Sequence, residues 1–91
     1  MQPAFEWDEE KATANVRKHK LSFGEATTVF HDPLIASMID PAHSDDEQRF
    51  IAMGRSSQGR LLVVIYAERE SKIRIISCRR ATSTERKSYE E

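Results

Sequence analysis

Residues 61–66 read Leu61-Leu62-Val63-Val64-Ile65-Tyr66, the most apolar run in the chain. A short continuous apolar segment between two turn-forming stretches predicts a central strand covered on both faces. On its N-terminal side Ser56-Ser57-Gln58-Gly59 reads as a hairpin turn. Before that turn Gln48 to Gly54 alternates, with Phe50 and Ala52 on one face and Arg49, Ile51 and Met53 on the other. On the C-terminal side Glu68 to Ser71 turns the chain into a further strand, Lys72 to Cys78. Strict alternation there puts Ile73, Ile75 and Ser77 on one face and Arg74, Ile76 and Cys78 on the other. Leu34 to Ile39 reads as another strand, joined to Gln48 by the polar loop Asp40-Pro41-Ala42-His43-Ser44-Asp45.

Upstream of these strands the pattern is helical. Phe5-Glu6-Trp7 is a brief strand, and Asp8 follows as an N-cap. Acids Glu9 and Glu10 open the helix and bases Arg17, Lys18 and Lys20 close it, which suits the helix dipole. Ala12, Val16 and His19 or Lys20 form its narrow apolar stripe. Ser22 caps a second short helix, with Glu25 completing a capping box and Phe23, Ala26, Val29 and Phe30 at helical spacing. Asp32-Pro33 stops it. Thr82-Ser83-Thr84-Glu85 starts a short charged helix that runs through Tyr89. The order predicts an α+β domain: a twisted antiparallel sheet of four to five strands, two N-terminal helices on one face and a short C-terminal helix.

At 91 residues the whole chain, 1–91, is expected to form a single domain. Its net charge of -1 does not by itself suggest a nucleic-acid binder, but the charge is unevenly spread. Lys11 to Lys20 holds four bases and no acid, Leu21 to Glu47 holds six acids and no Lys or Arg, and Arg69 to Lys87 holds seven bases against two acids. Two basic blocks brought together make a surface for a polyanion; paired with the acidic middle they make a solvated, neutralised surface. The lone Cys78 excludes an internal disulfide and a cysteine-built zinc site. No run reaches the roughly 20 apolar residues of a membrane span, and no secretory signal is evident, so a cytoplasmic location without membrane contact is expected. His31, Asp32, Asp40, His43, Asp45, Asp46 and Glu47 crowd one segment but match no metal-ligand spacing, and no metal or cofactor is expected.

Phe5-Glu6-Trp7-Asp8, Lys11, Asn15, Lys18-His19, Ser22-Phe23, Glu25-Ala26, Val29-Phe30 and Asp32-Pro33 form an ordered pattern. It continues through Arg49-Phe50, Gly54, Tyr66, the stretch from Ile73 to Thr82, Glu85-Arg86 and Tyr89. This pattern resembles the BrnT toxin family. It implies a RelE-like fold, ribonuclease action on cellular RNA that arrests growth, and neutralisation by a BrnA-like antitoxin. It also implies that the toxin–antitoxin complex meets promoter DNA only through the antitoxin. One position departs from the family pattern: Lys20 stands where the family carries glycine after the Lys-His pair, so the first helix is expected to end differently.

For metal-independent cleavage of RNA the expected parts are a group at the 2′-hydroxyl, positive charge on the phosphate and a proton for the leaving 5′-oxygen. The catalytic candidates are Arg79, Arg49, Lys11 and His19, with Arg80, Lys18 and Arg74 as RNA-binding residues. Arginine suits the phosphate because its planar fork matches two oxygens, and the family motif favours Arg79. Arg79 and Arg80 point to opposite sides of a regular strand. His19, at a helix C-terminus, reads either as a proton donor or as a packed ring bonded to the helix end. Cys78 reads as a small buried side chain. Two other functions stay open: an inactive fold-mate acting as a corepressor with its antitoxin, and a plain RNA-binding module. The second lacks a paired-aromatic strand motif or a Gly-x-x-Gly clamp.

Overall fold

A computed structural model describes residues 4–41 and 47–90. His43, Asp45 and Asp46 of the acidic loop lie outside the described residues. The elements are β1 (Ala4–Trp7), α1 (Glu9–His19), α2 (Phe23–Thr28), a 3₁₀ turn (Val29–His31), β2 (Ala36–Ile39), β3 (Arg49–Arg55), β4 (Leu61–Arg69), β5 (Lys72–Arg80) and α3 (Ser83–Glu90). The strands form one sheet in the order β1-β5-β4-β3-β2, so the apolar run Leu61–Tyr66 does lie on the middle strand.

The sheet is mixed rather than antiparallel throughout. β2 to β5 pair antiparallel, but β1 runs parallel to β5, with Phe5 beside Ile73 and Trp7 beside Ile75. A hairpin forces antiparallel pairing, and β1 reaches β5 by no hairpin: α1, α2 and three strands intervene.

A second departure decides the faces. Opposite β4, Ser77 pairs with Ile65 and Ile75 with Tyr66, so Ile76 is an extra residue, a β-bulge in β5. Strict alternation fails there. Ile75 and Cys78, three residues apart, both enter the buried cluster with Ala52, Leu62, Val64 and Tyr66. Leu21, Phe23, Ala26 and Val29 complete that cluster from α2 and its neighbours, with Trp7 edge-on to Phe23 at 6.1 Å. The opposite face carries Arg49, Ile51 and Met53 of β3, Val63 and Ile65 of β4, and Arg74, Ser77 and Arg79 of β5. We call it the open face.

The first helix packs differently from its expected stripe. Val16 is 45% exposed while Asn15 is buried. The Asn15 amide takes the place of a neighbouring strand at the β5 edge beyond β1. Its Nδ2 donates to the carbonyls of Cys78 (2.9 Å) and Leu21 (3.0 Å), and its Oδ1 accepts from the Cys78 N–H (3.1 Å). Lys20 ends the helix in the left-handed region (φ 61, ψ 33), its N–H donating to the Val16 carbonyl, so the helix keeps the termination that glycine favours. The Ser22 box is half made: Ser22 Oγ accepts from the Glu25 N–H, but the Glu25 carboxylate turns inward to Arg60 and Ser56 Oγ. Gly54 admits the 3₁₀ turn, since a Cβ there would lie 2.9 Å from Val29 Cγ1.

Asn15→Ala leaves the Cys78 and Leu21 backbone groups without partners and is expected to destabilise the fold by about 2–4 kcal/mol in chemical denaturation. Lys20→Gly removes the left-handed strain and should stabilise it by about 1 kcal/mol. An unchanged midpoint for Asn15→Ala would show that the edge contact contributes nothing.

Candidate functional site

The bulge sets the site. With Ile76 extra, Arg74 and Arg79 share the open face, whereas unbroken alternation would have paired Arg74 with Arg80. Arg49 and Arg74 both lie level with Ala67, one on each side of β4. Arg79 lies level with Val63, four residues along, or about 13 Å at the rise of a strand. Three of the predicted residues thus share one surface.

Arg79 is held by Glu85 of α3. Its Nη1 donates to Glu85 Oε1 (2.8 Å) and its Nη2 to Oε2 (2.9 Å), a bidentate pair, while Nη1 also donates to the Arg80 carbonyl (3.2 Å). These bonds occupy the end of the guanidinium. Its side edge, Nε–H with the second Nη2 hydrogen, has no protein partner among the described residues. The side chains are 42% and 33% exposed, so the pair faces solvent. Glu85 also closes a full capping box: its Oε1 accepts from the Thr82 N–H (2.8 Å) and its own N–H donates to Thr82 Oγ1 (3.2 Å). Arg79 first, then the Thr82 N–H, hold the Glu85 carboxyl down at about 2.

The far end of α3 is tied to β3. Tyr89 Oη donates to Asp32 Oδ2, Arg55 lies 5.7 Å from the centre of the Tyr89 ring, and Arg55 Nη2 donates to Glu90 Oε2 at 3.1 Å. Asp32 also accepts from the Arg55 N–H (2.6 Å) and the Leu34 N–H (2.8 Å). α3 has no buried residue, so these polar ties hold it beside the sheet.

Between α3 and the exposed edge strand β2 runs an apolar groove of about 340 Å³, floored by Ile51, Met53, Val63 and Ile65. Met38 stands on its β2 side, and Arg79 and Glu85 stand on the other. Farther along the open face Glu47 accepts from Arg69 (2.7 and 3.0 Å), and Arg74 pairs with Glu6 at 3.5 Å. The Arg69 hydrogen bonds lower the Glu47 pKa, and the charges of Arg49 and Arg74 add to them.

The other predicted residues lie elsewhere. Lys11, Lys18 and His19 belong to α1, which packs through Ala12 on the core and through Asn15 on the β5 edge. No hydrogen bond or ion pair among the described residues joins them to Arg79. Arg80 falls on the face opposite Arg79, where its charge acts on Glu25. Burial pushes the Cys78 thiol up to about 12, so it stays protonated and unreactive. Among the described residues no group of three or more His, Cys, Asp or Glu is gathered to hold a metal ion. None of the described helices is long and apolar enough to cross a membrane. Glu85 was missing from the sequence candidates; its signal, the Thr82-x-x-Glu85 spacing, reads as helix capping alone.

The sequence profile of the family described as "Ribonuclease toxin, BrnT, of type II toxin-antitoxin system" matches residues 7–85. The chain belongs to the BrnT family. A solved BrnT, the ribonuclease toxin of Brucella abortus, is similar in fold, with a TM-score of 0.65 and 25% sequence identity. The match covers 89% of this chain and 99% of that one. No curated protein matches. The BrnT profile spans Arg49, Arg74, Arg79 and Glu85 together, and so takes in the open face from β3 to the first turn of α3.

The Arg79–Glu85 pair carries its own pH signature. Because the folded Glu85 carboxyl titrates at about 2 against an ordinary 4.5, its contribution is complete above 4.5 and is lost as pH falls toward 2. Glu85→Gln should therefore lower stability near neutrality, with the gap to the parent chain closing between these two pH values in thermal melts. A gap that stays constant down to the lower pH would contradict the ion pair.

Proposed function

We propose that this chain is the toxin of a type II toxin–antitoxin module, a metal-independent endoribonuclease of RelE-like fold that binds RNA across its open face. The observation that carries this reading is the bulge-set alignment of Arg49, Arg74 and Arg79 on one face, with the side edge of the Arg79 guanidinium open. Arg79 takes two oxygens of the scissile phosphate on that edge, while Glu85 fixes its orientation from the other side. Arg49 and Arg74 hold a phosphate farther along β4.

The 2′-oxygen attacks phosphorus, the bond to the 5′-oxygen breaks, and the products are a 2′,3′-cyclic phosphate and a 5′-hydroxyl. Water takes the proton from the 2′-hydroxyl, and water supplies the proton that the departing 5′-oxygen gains. Arg79 stabilises the charge that builds on the phosphorane. Glu85 titrates too low for an efficient base at neutral pH, which fits a positioning role. Lys11, Lys18, His19 and Arg80 lie off the open face and serve as contacts for RNA beyond the cleaved bond, where the strand follows the β5 edge round to the end of α1. A BrnA-like antitoxin neutralises the chain in the cytoplasm, and promoter DNA is met only through that antitoxin. The second reading, an inactive corepressor, draws on the same ion pair, since Glu85 already neutralises Arg79.

Purified chain freed of any partner and incubated with bacterial RNA in excess EDTA should leave 2′,3′-cyclic or 3′-phosphate ends. Arg79→Ala should lower the rate by roughly 100-fold or more, the scale of losing one transition-state donor, with a melting temperature lowered by loss of the Glu85 pair but a chain still folded at the assay temperature. Intact RNA with folded parent chain would favour the corepressor, and cleavage unaffected by Arg79→Ala would remove Arg79 from the phosphate.

A further inference from the structure

The open face has a feature that phosphate binding leaves unused: the apolar groove between α3 and β2. We infer that it is a nucleobase subsite, which seats the unpaired base of a nucleotide next to the scissile phosphate and so restricts the enzyme to single-stranded RNA. This rests on the reading of the open face given above.

Three observations carry it. First, Arg79 and Glu85 line the groove, so the phosphate-binding cation stands directly beside its apolar floor. A ligand bound there meets a cation and an apolar floor side by side, the chemistry of a nucleotide. Second, the floor is apolar throughout: Ile51 stands level with Ile65, and Met53 level with Val63, on adjacent strands. Such a floor accepts the face of a base, and Met38 and Met53 add thioethers, which make favourable contacts with aromatic rings. Third, at about 340 Å³ the groove falls at the small end of the range for small-molecule sites. A duplex keeps its bases stacked inside, so only a nucleotide whose base is splayed out reaches this floor. Met38, 62% exposed on the edge strand, leaves the entrance open to solvent.

The polar residues of the lining stand at its rim: Ser37 on β2, and Arg79, Glu85 and Ser88 on the opposite side. The floor therefore recognises a base by its face, with little discrimination among the four, and any preference comes from the rim.

The test compares RNA oligonucleotides that carry a single abasic ribose at successive positions around the cleaved bond, with the parent chain and with Ile51→Trp, which fills the groove. One abasic position next to the scissile phosphate should lower kcat/KM by about tenfold or more, the scale of one lost base contact. Ile51→Trp should lose a similar factor on the intact substrate and be insensitive to that same abasic position. Fully paired RNA should resist cleavage. The abasic comparison uses the unaltered protein, so it stands even where Ile51→Trp folds poorly. Equal cleavage of all abasic substrates would overturn the inference. So would an Ile51→Trp variant that cleaves normally but escapes its antitoxin, which would make the groove a protein-docking site. Binding of the same oligonucleotides with 2′-deoxyribose at the cleaved position repeats the comparison without chemistry. A base-dependent affinity without any cleavage by the parent chain would contradict the catalytic assignment and leave the subsite standing.

Discussion

A single extra residue in β5 governs the rest of the structure. Ile76 has no partner on β4, and the shift it introduces reverses the alternation of every residue after it. Upstream, Ile73 and Ile75 feed the core; downstream, Cys78 does so. The bulge satisfies the core and the open face together. It buries the small Cys78 under α1 and α2, and it turns Arg79 out beside Arg74. The Asn15 amide then seals the edge of β5 two residues past the bulge, where β1 no longer pairs.

The open face explains why the net charge gives no hint of a nucleic-acid ligand. Arg74 faces Glu6, Arg69 faces Glu47 and Arg79 faces Glu85. Each cation is matched by an acid drawn from a different part of the chain, so the sum stays near zero. Exposed pairs of this kind are each worth only about 0–1 kcal/mol. A phosphate can therefore replace a carboxylate at Arg74 or Arg69 with little loss. At Arg79 no replacement is needed, because Glu85 leaves one edge of the guanidinium open. On the proposed reading, RNA bound there competes with these acids for at least part of the face.

The elements were legible where the sequence has strong periodicity. The middle strand at Leu61–Tyr66, the two faces of β3 and the charged C-terminal helix all follow from residue pattern. The features that failed share a physical cause: each depends on a partner distant in sequence. Alternation along Lys72–Cys78 contains nothing that marks Ile76 as extra, because a bulge is defined against β4. Asn15 looks like a polar residue on a solvated helix face until the β5 edge arrives 63 residues later. The turn expected within Glu68 to Ser71 is present, but its tightness follows from the partner strand: Glu70 (φ 49) and Ser71 (φ 69) both adopt the left-handed region where Arg69 pairs with Lys72. The candidate site was legible as residue types and not as a cluster. Sequence singled out Arg49, Arg74 and Arg79, but it grouped Lys11 and His19 with them, and it read Glu85 only as a cap.

Whether RNA lies on the open face of the sheet is read from a map of nuclear magnetic resonance shifts as the chain binds an oligonucleotide made uncleavable by 2′-deoxyribose at the scissile position. RNA on the open face gives the largest shifts at the amides of Ser77 and Arg79 and at the methyl groups of Ile51, Val63 and Ile65, with the middle of α1 undisturbed. Shifts concentrated at Lys11, Lys18 and His19, with the open-face methyl groups unmoved, would contradict it.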